Sequence, residues 1–372
     1  MADARFPLLV ALGVAGLAVI VNACGSETFG TAEADAGSDA ANDVTTALLD
    51  APSDAEGEGS TLDAGVPAVI ATTQDDPSSL AADDTGAYWT NTGLADGGRP
   101  GALMRAAAGA VVTLSTGAGA RGVSISASGA LFAFSNDTVR KVQKTTGVLI
   151  WERNALNIPM RTAGSDQKTA ITCLVDPGLE AVNGYVVRAE LDGVTNNEKL
   201  DFQTAPVAVV LDGADAYWAN WGTKALSFGN GSINRSIASD GGIEVMVSPS
   251  HRPLALAVDA TAVYWTNSDG QLWRVNKYGP AMLHQLTTGT GEARSLELDD
   301  TWVYWTDYTG GAVKRFRKDE AGGIVILASG RKYPQGLAVT PDFIYWADRG
   351  TLTDAVGDLH EASDGMVLRL PK

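Results

Sequence analysis

At 372 residues, with 45% apolar side chains and 42 glycines, the chain can bury a large core, in one large all-β domain or in two ordinary ones. Its net charge of −17, with no run of Lys or Arg to form a basic patch, excludes nucleic acid as a partner, because such a field repels a polyanion.

The first segment reads as an address. Arg5 stands in a short leader, residues 6–21 are almost wholly apolar, and Val21-Asn22-Ala23-Cys24-Gly25 follows. This resembles a bacterial lipobox, which implies that residues 1–23 are a signal peptide and that Cys24 is diacylated and becomes the mature N-terminus. The resemblance also implies the outer membrane, since Gly25 is not the Asp linked to inner-membrane retention. Two acyl chains anchor a soluble domain firmly, so the membrane is expected to be reached through the lipid alone. The alternative is an uncleaved transmembrane helix, for which about sixteen apolar residues are short.

Residues 24–65 follow as a tether. From residue 25 to residue 65 there are ten Asp or Glu, no Lys or Arg, and no aromatic side chain besides Phe29. Such a segment cannot bury enough surface to offset its chain entropy, and its self-repelling carboxylates extend it. A solvated spacer is expected, with calcium or cell-wall binding as the alternative.

From residue 66 onward the chain repeats. Tyr88-Trp89-Thr90-Asn91, Tyr217-Trp218-Ala219-Asn220, Tyr264-Trp265-Thr266-Asn267, Tyr304-Trp305-Thr306-Asp307 and Tyr345-Trp346-Ala347-Asp348 are five copies of one motif. The last four are 47, 40 and 41 residues apart, and the gap of 129 before them is three times 43, which leaves room for two degenerate copies. One is Leu131-Phe132-Ala133-Phe134-Ser135-Asn136; the other lies near residues 171–176 and has lost its aromatics.

Each copy sits among apolar runs of four to seven residues separated by Asp, Gly and Pro, the pattern of a four-stranded blade. Pro77, Pro206, Pro253 and Pro334 each stand eleven residues before a motif tyrosine, where a proline can open an innermost strand without breaking a ladder hydrogen bond. The expected fold is an all-β propeller over residues 66–372, with seven four-stranded blades, or six as the alternative. Large rings recurring in every regular blade are explained as wedges between sheets rather than as a ligand cage.

These motifs resemble the YWTD repeats of LDL-receptor-type β-propellers over about 300 residues, which implies the fold and says little of the ligand. Ring closure is legible too. The last blade runs out of chain after three strands, and residues 66–73 read as a fourth strand with no first three, so the two ends complete one blade and remove an exposed edge. With Cys24 given to the lipid, Cys173 has no disulfide partner and is expected to be a buried small hydrophobe.

No catalytic constellation stands out. His251, His284 and His360 fall in no zinc spacing, and there is no nucleophile elbow, Walker loop or dinucleotide fingerprint. No metal set and no cofactor is expected. The residues ten to thirteen before each motif tyrosine should converge at one mouth of the central channel. They give Asp76, Arg121, Arg161, His251, Arg252, Glu292, Arg294, Tyr333 and Gln335, a polar set of mixed sign. Its arginines suit carboxylates, phosphates or acidic glycans.

The leading functional expectation is a monomeric, lipid-anchored cell-envelope binding or scaffold protein whose partner is a protein, peptide or anionic glycan. A propeller enzyme of lyase or lactonase type, with a divalent metal in the channel, is one alternative. A structural envelope protein without a small-molecule ligand is the other.

Overall fold

The computed structural model describes residues 65–93, 99–117, 119–126, 129–133, 138–154, 160–165, 169–175, 184–190, 197–203, 205–213, 215–223, 229–236, 242–352 and 363–372. Within them lie twenty-eight strands in seven antiparallel four-stranded sheets. Taken from the centre outward, the first sheet is Pro77–Asp83, Gly86–Asn91, Gly101–Ala107 and Ala110–Gly117. The innermost strands are Pro77–Asp83, Arg121–Ser126, Met160–Ser165, Pro206–Asp212, Pro253–Val258, Ala293–Leu298 and Pro334–Val339. Each touches the next, and the last returns to the first, so the sheets are the blades of a closed seven-bladed propeller.

The motif copy that has lost its aromatics falls where the spacing puts it, with Thr169–Val175 as the second strand of the third blade. Closure follows the sequence as well. Ala68–Gln74 pairs antiparallel with Gly365–Pro371, from Ala68 opposite Arg369 to Gln74 opposite Gly365, and becomes the outer strand of the seventh blade. Cys24 and the leader lie outside the described residues. Among the described residues no helix is long and apolar enough to cross a membrane.

The motif explains the packing. Adjacent residues of a strand point to opposite faces, so each Tyr-Trp pair serves two seams. Tyr264 meets Trp305 of the next blade, Tyr304 meets Trp346, Tyr217 meets Trp265, and Tyr345 meets Trp89 across the closing seam. All five tryptophans are essentially buried. Trp305 Nε1 still donates to the Thr290 carbonyl at 3.0 Å, and Trp89 Nε1 to Gln74 Oε1 at 2.9 Å, which removes the desolvation cost of two indoles.

The face carrying the turns between first and second strands has a second repeated device. An aspartate five residues before the motif tyrosine accepts a lysine ammonium from the next blade. The pairs are Asp83 with Lys144 at 2.7 Å, Asp259 with Lys318 at 2.7 Å, Asp299 with Lys372 at 2.6 Å, and Asp212 with Lys277. Three of these lysines also lie over the tyrosine of the preceding blade: Lys277 over Tyr217, Lys318 over Tyr264 and Lys372 over Tyr304, at 5.4, 5.3 and 5.6 Å from the ring centres. Burial would raise the Asp299 carboxyl, but hydrogen bonds from Lys372, Tyr304 and the backbone of Thr301 and Trp302 hold it down at about 2.

Candidate functional site

The opposite face gathers the loops that lead into the innermost strands, and the backbone there is built to one plan. The residue before each innermost-strand proline is left-handed: Asp76 at φ 55°, Ala205 at 53°, Arg252 at 31° and Tyr333 at 52°. A side chain is uncommon in this region, and a following proline disfavours helical backbone, so the turn is held by its surroundings. The hold is a hydrogen bond to its carbonyl from the residue just after the motif. Thr92 N donates to Asp76 O at 3.1 Å, Trp221 N to Ala205 O at 3.0 Å, Ser268 N to Arg252 O at 3.0 Å and Arg349 N to Tyr333 O at 3.3 Å. In the sixth blade Tyr308 N donates to Glu292 O at 3.0 Å.

The channel mouth is therefore ringed by two columns of side chains, one before each innermost strand and one after each motif. The sixth blade shows how the motif's last residue fixes them. Asp307 Oδ1 accepts from Glu292 N at 3.2 Å and Gly310 N at 3.0 Å, while Oδ2 meets Lys314 Nζ at 2.8 Å. Gly291, at φ 72°, leaves room for that carboxylate, since a Cβ there would stand 2.2 Å from Asp307 Oδ2.

Across the seventh, first and sixth blades the two columns fuse into one cluster. Arg349 is buried and donates Nη2 to Asp76 Oδ2 at 2.9 Å, Nε to Asp76 Oδ1 at 2.5 Å, and Nη1 to Tyr308 Oη at 3.2 Å and Gln335 Oε1 at 3.3 Å. The Arg294 guanidinium lies 3.5 Å from the Tyr308 ring centre and pairs with Glu292 Oε1 at 2.7 Å. Tyr333 packs on Tyr308 with ring centres 5.1 Å apart. Planar guanidiniums stacked on rings and tied to carboxylates form a stiff surface, each stacked contact worth about 0.5–2 kcal/mol.

Of the residues expected at the mouth, Asp76, Glu292, Arg294, Tyr333 and Gln335 meet in this cluster. Arg252 stands on the fifth blade with its guanidinium 4.5 Å from the Trp221 ring centre, and beside it exposed His251 pairs through Nδ1 with Asp269 at 3.2 Å. Arg121 opens the innermost strand of the second blade. Arg161 lies in Met160–Ser165, whose side chains are outside the described residues, as is Cys24.

Sequence reasoning missed the second column: Trp221, Tyr308 and Arg349. A signal was present, for the residue directly after the motif is Thr92, Trp221, Ser268, Tyr308 and Arg349 in the five copies, far more varied than the motif itself.

Deeper in the channel wall, the innermost-strand residue opposite each motif tyrosine is Ala81, Val210, Ala257 or Ala338, except in the sixth blade, where it is Glu297. Enclosure by protein raises its carboxyl to about 7. Among the described residues no group of three His, Cys, Asp or Glu side chains is placed to hold a metal.

No protein-family model matches the chain. Its fold is that of several solved propellers. A streptogramin B lyase structure is 12% identical, covering 82% of this chain and 97% of its own, with a TM-score of 0.60. A virginiamycin B lyase from Staphylococcus aureus is 13% identical, covering 81% and 97%, at 0.61. The WD40 repeats of RRP9 are 10% identical, covering 82% and 97%, at 0.62. At such identity the likeness establishes the β-propeller fold and nothing of its task.

Proposed function

We propose that this is a lipid-anchored binding and scaffold protein of a bacterial cell envelope, in which a YWTD-type propeller offers one channel mouth to a protein or peptide partner. The observation that carries this is the Asp76–Arg349–Tyr308–Arg294–Glu292 cluster, continuous over three blades. Tyrosine and arginine on a preorganised, mixed-charge surface are the side chains that dominate protein interfaces. Arg294 and Arg349 already face the carboxylates of Glu292 and Asp76, so they suit a partner bearing both signs better than a simple polyanion. An anionic glycan would also meet Arg121 and Arg252, the basic residues of the second and fifth blades at the mouth.

The test is capture from envelope extracts by the full-length protein. Arg294→Ala with Tyr333→Ala should cut capture of a protein partner by about tenfold or more. Arg121→Ala with Arg252→Ala should matter most for an acidic glycan. Equal capture by folded variants of both kinds overturns the proposal. For the anchor, Cys24→Ser should abolish fatty-acid labelling and release the protein from membranes; unchanged labelling would remove that part of the account.

A second reading, a propeller enzyme, has one observation in its favour: Glu297, a carboxyl near neutral in the channel wall of a fold that two lyases share. Glu297→Gln separates the two, since it should leave partner capture intact and would remove any turnover that depends on that proton.

A further inference from the structure

The face opposite the mouth carries the lysine–aspartate latches, and at the closing seam between the seventh and first blades the latch is missing on both sides. The position five residues before Tyr345 is Thr340, whose hydroxyl serves its own turn: Phe343 N donates to Thr340 Oγ1 at 3.1 Å. Each latch lysine stands three residues beyond the basic residue that pairs with a motif position: Lys277 beyond Arg274, Lys318 beyond Arg315, Lys372 beyond Arg369. In the first blade Arg105 pairs with Tyr88, and three residues on is Ala108. Ala107 pairs directly with Ala110, so the turn is only Ala108 and Gly109, both left-handed at φ 51° and 81°. Ala108, where the latch lysines stand in other blades, carries no side chain that could reach over the preceding blade.

What remains is a cleft of about 870 Å³, in the size range of ligand sites. Tyr345 and Phe343 line it with ring centres 6.0 Å apart, where three other seams hold an ammonium against the tyrosine. Val69 forms an apolar wall. Asp84 and Asp342 stand on the lining, and neither carboxylate has an ion-pair partner among the described residues, while Arg369 sits over the Phe343 ring at 4.5 Å. The chain leading to the seam cannot fill it with a cation, because residues 25–65 hold no Lys or Arg.

We propose that this cleft binds the side chain of a lysine from a partner protein, its ammonium taking the place over Tyr345 that Lys277, Lys318 and Lys372 take over their tyrosines, and its alkyl stem lying against Val69. The four internal latches supply the charge of the missing group, and the three that reach a tyrosine supply its geometry. The site lies on the face away from the channel mouth and stands or falls independently of it.

A single lysine side chain should bind weakly, at about millimolar Kd, as one cation–π contact and one alkyl stem allow. The probe is Nα-acetyl-lysine-N-methylamide, titrated into the full-length protein while the methyl NMR signals of Val69, Ile70 and Val111 are followed. Saturable shifts are expected, with none from the uncharged norleucine analogue. Ala108→Lys with Thr340→Asp, which restores an internal latch, should abolish the shifts and raise Tm. Asp84→Lys with Asp342→Lys, both at exposed turns, should weaken binding at least fivefold and keeps the test decisive if the first variant does not fold. Equal shifts from norleucine, no saturation, or unchanged binding by either folded variant overturns the proposal.

Discussion

Asp76 and Arg349 are the residues on which the mouth depends most. They are 273 positions apart, and both are more than nine-tenths buried. Removing one partner of such a pair leaves a buried charge unmatched, at a cost of about 3–5 kcal/mol. Asp76→Ala should therefore lower the urea midpoint strongly, and adding Arg349→Met should restore much of it; no recovery in the double variant would mean the two act separately. Glu297 works in the opposite sense. Its folded value of about 7 lies above the ordinary 4.5, so the native state holds that proton more tightly than the unfolded chain. Stability from this group is complete below about pH 4.5 and is lost as pH rises through 7. Glu297→Gln should gain on the order of 2 kcal/mol at pH 8 and almost nothing at pH 4.5, and an equal gain at both would refute the assignment. Half of this residue-scale picture was legible in the chain. Counting back from each tyrosine finds Asp76, Glu292 and Tyr333, because strand length fixes that distance. Arg349 and Tyr308 escaped because they follow the motif, and only the hydrogen bond from the far end of the hairpin shows that the two columns meet.

Blades are the element at which sequence and structure agree most closely. Period-two alternation places Tyr and Trp on opposite faces, and a 40-residue repeat is visible without any tertiary information. The latches were not visible, since each joins residues 59 to 73 positions apart in neighbouring blades, as Asp259 and Lys318 or Asp299 and Lys372 are. They carry a pH signature. The Asp299 carboxyl is held at about 2 against an ordinary 3.8, so its contribution is complete above about pH 4 and is lost as pH falls toward 2. The stability gap between the parent and Asp299→Asn should be roughly 1–2 kcal/mol at pH 6 and should shrink below pH 3. A gap that stays constant through that range would show that Asp299 acts as a turn residue and not as the anion of a latch.

At the scale of the whole molecule, seven sheets, the last completed by the strand Ala68–Gln74, give a closed ring of blades, and so a platform whose two faces differ in chemistry. One face presents stacked arginine and tyrosine around the channel, and the other is tied by lysine–aspartate pairs. The most direct test is photo-crosslinking of the membrane-bound, full-length protein, with p-benzoylphenylalanine placed at Tyr333 on the mouth or at Met282, which is 71% exposed beside the fifth blade's outer strand. Irradiation should yield a discrete protein adduct from position 333 that Arg294→Ala suppresses, and no such adduct from position 282. No adduct at 333, or the same adduct from both positions, would contradict the mouth as the binding face.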